Sequence, residues 1–309
     1  MTKTIAIYVS TATDTQPPTF NTPDNALGYA DLFRFIIKHG GQPIITYDAD
    51  STYLGNSRFN QYWIAELAND QISYKKIDSE ITVDLLYDKN RFPYSDLKKL
   101  NPDKIKQICN DKYSSYLLSP DMSSTSFLIN TPEQLDTLRA TYSQQRIVIK
   151  ELDGLGGEKV FIGNLANYHN NFNYPLIFQE FIDTSSGLPD LANGIHDLRI
   201  ALFNGQPIHG LLRYPTNPDE LRTNLYLGGK VQALFINQIP TDAIKLAQEI
   251  DRRFQTDSPR FFAADFGFDG QNWKLFELNN MPGIWSKRLY GDANDEYLEL
   301  LAKNLVSSA

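Results

Sequence analysis

The segment from Phe261 to Gly283 reads as two Phe-rich apolar strands joined at Asp269-Gly270, a strong hairpin signal. Three of its side chains do not belong on an apolar ribbon: Asp265, Glu277 and Asn279. Residues two apart on a strand share a face, so Glu277 and Asn279 are neighbours. A three-residue loop, Gly270 to Asn272, sets Asp265 directly opposite Glu277, whereas a two-residue loop sends the two carboxylates to opposite faces. The three-residue register is the expectation. A lone acid here would be an ordinary residue on a wet face. Two carboxylates and an amide oxygen converging across a turn form the hard-oxygen set that suits a Mg²⁺ ion holding phosphates.

A chain of 309 residues can bury a sizeable core and suggests about two domains. Hydrophobic residues at 41% and charged residues at 21% are those of a soluble globular protein. With a net charge of -8 and no basic stripe, duplex nucleic acid and anionic membrane are excluded as expected partners. The one cysteine, Cys109, rules out an intramolecular disulfide and a Cys-based zinc site; it reads as a core thiol on a helix. The run Ile5 to Val9 is too short for a signal sequence and reads as a first strand, and no apolar run reaches membrane-spanning length. A cytoplasmic location is expected.

Residues 4 to about 110 alternate strand and helix in the manner of an open α/β domain. Thr22-Pro23-Asp24 offers an N-cap with proline in the first turn. Ala26, Leu27, Ala30, Phe33, Ile36 and Ile37 follow at helical spacing, and Gly40-Gly41 ends the helix. Further strands are expected at 43–47 and 81–87, and a short helix after Asn101-Pro102. Beyond it lie a helix after Asp111-Lys112, a helix capped by Thr131, and strands at 146–150, 159–162 and 175–181. From Asp197 the chain turns to strands. Asp197 to Phe203 and Pro207 to Arg213 form a hairpin about Asn204-Gly205, followed by a helix at 241–254, the Phe-rich hairpin and a helix at 293–305. The expected division is an N-terminal α/β substrate domain (1–111), a small subdomain (112–185) and a C-terminal subdomain (186–309) of α+β character.

A second informative stretch runs from Ile147 to Val160. A lysine at a strand end, Lys150, precedes the Gly-rich loop Asp153-Gly154-Leu155-Gly156-Gly157, and another strand follows. A Walker A loop and a dinucleotide loop both open a helix, so neither fits. A glycine loop between strands is either a plain hairpin turn or a flap whose backbone N–H groups close over phosphates, with Lys150 adding a point charge.

Taken in order, these motifs resemble the ATP-grasp ligases over roughly residues 105–285, with bacterial glutathione synthetase and the ribosomal-protein glutamate ligases nearest in pattern. The resemblance implies an ATP-grasp fold behind an open α/β domain. It implies Lys112 and Lys150 as the two ATP-contacting lysines, and a flap over the triphosphate carrying Gly154, Gly156 and Gly157. Gln179, Glu180, Phe181 and Ile182 look like the hinge segment against the adenine edge. Asp197-Leu198-Arg199 is similar to the family's Asp-x-Arg, with Asp197 towards ribose and Arg199 towards phosphate. Arg213 stands where members carry a substrate-side arginine, and Arg222 and Asn224 match an Arg-x-Asn that contacts phosphates. Asp265, Glu277 and Asn279 fall on the metal-ligand positions, for Mg²⁺ or Mn²⁺. Arg199, Arg213 and Arg222 are the implied catalytic groups.

The implied reaction activates a carboxylate as an acyl phosphate at the expense of ATP and joins it to an amine. The partners are small-molecule or peptide acids and amines, and relatives are commonly homo-oligomers. Glu151 replaces a proline common after the second lysine, and the ending Asn279-Asn280-Met281-Pro282-Gly283 is closer to the glutamate ligases, which leaves the acceptor open. A small-molecule kinase and a non-catalytic nucleotide-binding module are the rival readings. Acceptor specificity is expected from Thr11 to Asp14 and from Asp88-Lys89-Asn90-Arg91. His196 and His209 read as structural or core histidines, Lys245 and Lys287 as solvated.

Overall fold

The computed structural model describes residues 2–20, 22–68, 71–152, 159–169, 171–217, 219–256, 259–280 and 282–309. Contacts divide the chain into two units, one of residues 1–102, 257–261 and 281–309, the other of residues 103–256 and 262–280.

The first unit begins with β1 (Lys3–Tyr8), α1 (Pro23–Lys38) and β2 (Gly41–Thr46). The buried run of β1 lies parallel to β2 on one side and to β8 (Leu85–Asp88) on the other. Between β2 and β8 come α2 (Ala49–Thr52), β3 (Tyr53–Gly55), β4 (Arg58–Phe59), β5 (Tyr62–Ala68), β6 (Gln71–Ile77) and β7 (Ile81–Thr82), and β9 (Lys99–Leu100) follows β8. The main sheet has the order β6-β5-β2-β1-β8-β9; β3, β4 and β7 make a separate small sheet. The single strand expected over 81–87 is therefore two strands in two sheets, because the chain changes sheet at Val83-Asp84.

Thr22 caps α1 through its Oγ1, which accepts from the Asn25 N–H at 3.2 Å, with Pro23 in the first turn. The buried face of α1 is Tyr29, Leu32, Phe33 and Ile36. Ile37, expected on that face, is 55% exposed. The helix seats on the C-terminal α8 (Ala293–Ser308), which buries Tyr297, Leu298, Leu301 and Leu305.

The second unit opens with α3 (Asp103–Asn110) and α4 (Lys112–Leu118); the Asp111 carboxylate caps α4 by accepting from the Ser114 N–H. Cys109 is buried on α3, as expected. A four-stranded antiparallel sheet, in the order β10-β13-β11-β12, comprises β10 (Ser126–Ile129), β11 (Arg146–Glu151), β12 (Val160–Asn164) and β13 (Leu176–Glu180), with α5 (Pro132–Tyr142) packed on it.

A five-stranded sheet, ordered β16-β15-β14-β17-β18, comprises β14 (Asp197–Phe203), β15 (Gln206–Tyr214), β16 (Lys230–Leu234), β17 (Phe261–Phe268) and β18 (Trp273–Asn279). Asn204 and Gly205 both take positive φ between β14 and β15, which is what a two-residue hairpin turn needs. One face of this sheet buries Leu198, Ile200, Leu202, Phe262, Ala264 and Phe266 under α6 (Thr241–Arg253). Period-2 alternation then sends Asp197, Arg199 and Asp265 to the opposite face. Among the described residues no helix is long and apolar enough to cross a membrane.

Candidate functional site

The β17–β18 ribbon reaches the expected opposition by an unexpected route. Asp265 stands opposite Glu277, and Ala263 opposite Asn279. Yet the ladder near the turn pairs Phe268 with Trp273, and the Asp269 N–H donates to the Asn272 carbonyl, so the connection closes around Gly270-Gln271. The expectation of a three-residue loop is corrected. A register shift follows: Phe266 faces Leu275 while Asp265 faces Glu277, which makes Phe276 an extra residue on β18. This bulge returns the two carboxylates to one face. Gly267 permits it, since a Cβ there would run into the Phe276 ring.

Asp197 and Arg213 are direct partners across β14 and β15, and their side chains pair as well: Nε to Oδ1 at 2.6 Å and Nη2 to Oδ2 at 2.9 Å. Arg199, two residues further along β14, donates Nε and Nη2 to the two oxygens of Asp265, each at 2.6 Å. Arg213 Nη2 also reaches Asp265 Oδ2 at 2.7 Å, and Asn279 Nδ2 reaches it at 3.3 Å. The two arginines therefore converge, with Asp265 between them. Thr223 Oγ1 donates to Asp197 Oδ2, a contact that sequence reasoning missed; its only signal is its place between Arg222 and Asn224. Burial of Asp265, at 1% exposure, opposes its charge, but the guanidiniums of Arg199 and Arg213 outweigh this and hold the carboxyl well below the usual range.

Glu277 and Lys150 differ from this closed network. The Glu277 carboxylate, half-buried, makes no hydrogen bond or ion pair among the described residues. Lys150, at the end of β11 and 8% exposed, likewise makes none, although Glu277 and Asp265 act on it electrostatically. Burial lowers its ammonium to about 8, with Lys112 adding to the effect and Glu277 opposing it. Lys112 donates Nζ to the Leu152 carbonyl at 3.0 Å. Glu151 accepts from Lys159 Nζ at 2.6 Å and from the Asn173 N–H at 3.1 Å, so the residue in the proline position ties down the strand end.

The folded-state value of Lys150 lies below its ordinary 10.5, so folding disfavours the charged ammonium. That cost is full below about pH 8, fades between pH 8 and 10.5, and vanishes above. Lys150→Met is therefore expected to stabilise the protein at pH 7 by about 2–3 kcal/mol, with the gain over wild type lost by pH 10.5. Denaturant unfolding at both pH values checks this.

Of the residues expected at the hinge, Glu180, Phe181 and Ile182 line a cavity of about 260 Å³ with Ser124 and Lys274. Gln179 Nε2 donates to Ser126 Oγ at 2.9 Å, the Glu180 N–H donates to the Thr125 carbonyl, and the Arg146 guanidinium lies 5.2 Å over the Phe181 ring. Ile182 completes that wall. Arg222 is not drawn into the arginine cluster: its Nε and Nη2 pair with Glu220 at 2.9 and 2.8 Å. The Asn224 carbonyl accepts from Gly229 N–H at 3.2 Å, closing the turn in which Gly228 has φ of 83°. The expected flap glycines Gly154, Gly156 and Gly157 lie outside the described residues. His209 is buried, and desolvation, with Arg199 adding to it, pushes its imidazole down to about 3, so it is neutral.

Among the described residues no three His, Cys, Asp or Glu side chains converge as a metal cage. The oxygens left open on this face are those of Glu277 and Oδ1 of Asn279, hard donors that fit a divalent cation sharing its shell with phosphates. Asp265, the third expected donor, is occupied by two guanidiniums.

Solved structures resemble the chain along its whole length. The ATP-grasp ligase PsnB complexed with a minimal precursor superposes with a TM-score of 0.60 at 15% identity, covering 100% of this chain and 99% of that one. D-alanine–D-alanine ligase from Bacillus anthracis complexed with ATP gives 0.58 at 9% identity, covering 100% and 97%. At such identities the likeness establishes the fold, which is ATP-grasp.

In sequence, glutathione synthetase of Vibrio vulnificus (strain CMCP6) is 29% identical over 134 residues, 39% of this chain and 38% of that protein. Glutathione synthetase of Prochlorococcus marinus subsp. pastoris is 26% identical over 195 residues, 59% and 56%. The chain thus spans little more than a third to just over half the length of these curated relatives. The family model for the prokaryotic glutathione synthetase ATP-grasp domain matches residues 116–280, over half of the chain and the stretch that holds Lys150, Asp197, Arg199, Arg213, Arg222, Asp265, Glu277 and Asn279, with Lys112 just outside it. By that match the chain belongs to the prokaryotic glutathione synthetase ATP-grasp family.

Proposed function

We propose that this protein is an ATP-dependent, ADP-forming carboxylate–amine ligase that works through an acyl phosphate. The observation that carries the reading is the juxtaposition of an unpaired, desolvated Lys150 with an unpaired Glu277 beside the ordered pair Arg199 and Arg213. Such an arrangement has open positive charge for phosphate oxygens and an open carboxylate for their counter-cation, with the rest of the network internally neutralised.

In the reaction, a substrate carboxylate oxygen attacks the γ-phosphorus of ATP and ADP leaves. An amine then attacks the acyl carbon, phosphate leaves, and the amine proton goes to solvent or to the departing phosphate. Little covalent work falls to the protein, which must align the reactants and neutralise charge. Lys150 and Lys112 would take phosphate oxygens, while Glu180, Phe181 and Ile182 would line the adenine edge. Arg199 and Arg213, held rigid by Asp265 and Asp197, would face the transferring group and the acyl phosphate. Glu277 and Asn279 would hold a divalent cation, which when bound neutralises the β- and γ-phosphate oxygens. Arg222 and Asn224, placed on the phosphates by the family pattern, would need Arg222 to leave Glu220.

The test is trapping. With ATP, Mg²⁺, pooled carboxylic acids and hydroxylamine, a ligase yields a hydroxamate in proportion to ADP. ADP release without hydroxamate indicates transfer to a hydroxyl, and neither product indicates a module without turnover; either result sinks the ligase reading. The acid and the amine, whether small molecules or peptides, follow from which pool member is consumed.

A further inference from the structure

In the sheet of the first unit, the chain passes from β1 through α1 to β2 on one side of β1, and later returns to β8 on the other side. Strand order reverses between β1 and β8, and at such a reversal the connections leaving the carboxyl ends of parallel strands diverge and open a crevice suited to ligands. Tyr8 and Asp88 are paired at that end, and the Lys89 N–H donates to the Tyr8 carbonyl at 3.0 Å. The two segments that sequence singled out for acceptor specificity, Thr11 to Asp14 and Asp88 to Arg91, therefore follow neighbouring strands and part from there: the Thr13 carbonyl accepts from Trp63 Nε1 of β5 at 3.3 Å and Asp14 pairs with Lys76 of β6, beyond β2.

Lys89 is the chemically unusual residue there. Its Nζ lies 3.4 Å from Tyr87 Oη and 5.0 Å from the centre of the Tyr87 ring, a ring only 1% exposed. No carboxylate pairs with it among the described residues. Neighbouring Asp88 uses its oxygens to accept from the Asn90 and Phe92 N–H groups at 3.0 Å each. Asp14 is taken by Lys76 on β6. Burial lowers the Lys89 ammonium to about 8, against the pull of Asp88. A partly buried cation without a counter-ion is unfavourable in the free protein and becomes favourable when a ligand brings the anion.

We propose that Lys89 is a specificity residue at the β1/β8 crevice, binding a carboxylate that the substrate keeps through the reaction. A carboxylate held by an ammonium is a poorer nucleophile, so the group bound here differs from the one that is activated. The substrate class is then an acid with a second carboxylate, or an amine bearing one. This assignment rests on the ligase reading for the word substrate; carboxylate binding at Lys89 stands apart from it.

The experiment is competitive acetylation of the full chain with trace acetic anhydride and peptide mass mapping, with glutarate as the probe and its neutral analogue glutaramide as control. Saturating glutarate is expected to slow acetylation of Lys89 about tenfold. It should leave the exposed Lys245 unchanged, and glutaramide should do nothing. Glutarate should also raise the melting temperature of wild type and of Lys89→Arg, but not of Lys89→Met. Unchanged Lys89 reactivity, equal slowing of all lysines, or a full thermal shift in Lys89→Met would each overturn the proposal. Every readout is taken without ATP. A missing hydroxamate would therefore count against the ligase reading alone, and missing protection against Lys89 alone.

Discussion

Asp265→Ala is expected to lower the unfolding free energy by about 3–5 kcal/mol. Urea denaturation at pH 7 reads the loss directly. Asp265 is fully enclosed and accepts from Arg199, Arg213 and Asn279. Its removal leaves two guanidiniums facing each other in a poorly solvated place, with Asp197 able to compensate only Arg213. Against a total stability of about 5–15 kcal/mol, that is a large share. Asp265→Asn keeps the shape and loses the charge, so it should fall between wild type and alanine. The pH dependence has a definite sign. Because the arginines hold the Asp265 carboxyl below its ordinary 3.8, its contribution is complete above that value and is lost as pH falls through the lower, folded-state value. Wild type and Asp265→Ala should therefore differ most at neutral pH and converge only in strong acid. A variant as stable as wild type at pH 7 would show that the arginines do not depend on this carboxylate.

Glu277→Gln should behave in the opposite way. On the proposed function, it is expected to reduce ATP turnover by about a thousandfold or more, while changing stability by less than about 1 kcal/mol. The side chain is half-buried and pairs with nothing in the described structure, so the isosteric amide disturbs no existing bond. What it removes is the open negative charge on this face and, on the proposed function, a ligand for the divalent cation. A second readout is independent of turnover. Glu277 supports the Lys150 ammonium electrostatically, so its neutralisation should move the Lys150 titration further below about 8. Turnover close to wild type, with the Lys150 titration unmoved, would remove Glu277 from the site. Together the two substitutions separate the carboxylates that face each other across one ribbon: one holds the architecture, the other is available for chemistry.

Much of this was legible from residue type and spacing. Alternating apolar positions in Asp197–Phe203 and Phe261–Phe268 announced strands whose polar members share a face, and Asn204-Gly205 announced the turn between β14 and β15. Proline and threonine at the start of α1 located that helix. Long-range choices were not legible. The run 81–87 looks like one strand because local pattern cannot tell which sheet receives each half. Ile37 fits the helical spacing of α1, yet the seam that forms runs through Tyr29, Leu32, Phe33 and Ile36, because α8, more than 250 residues away in sequence, decides which stripe is covered. Arg222 matched a motif, but a neighbour two residues away, Glu220, captures its guanidinium.

By itself the sequence determined which charged and polar groups this protein owns and in what order they come: Lys112, Lys150, Asp197, Arg199, Arg213, Asp265, Glu277 and Asn279. It could not determine which of them meet. The closing turn at Gly270-Gln271, followed strand by strand, would part Asp265 from Glu277, and only the extra residue Phe276, accommodated over Gly267, puts them back on one face. The physical reason is that a strand has a period of two, so one residue of slip inverts every side chain beyond it. Where that slip is taken up depends on a fit across the ribbon, the Phe276 ring over Gly267, which the alternation along either strand does not announce. The same holds for the arginines. Their spacing was written in the chain, but which of them clamps Asp265 was decided by the pairing of β14 with β17.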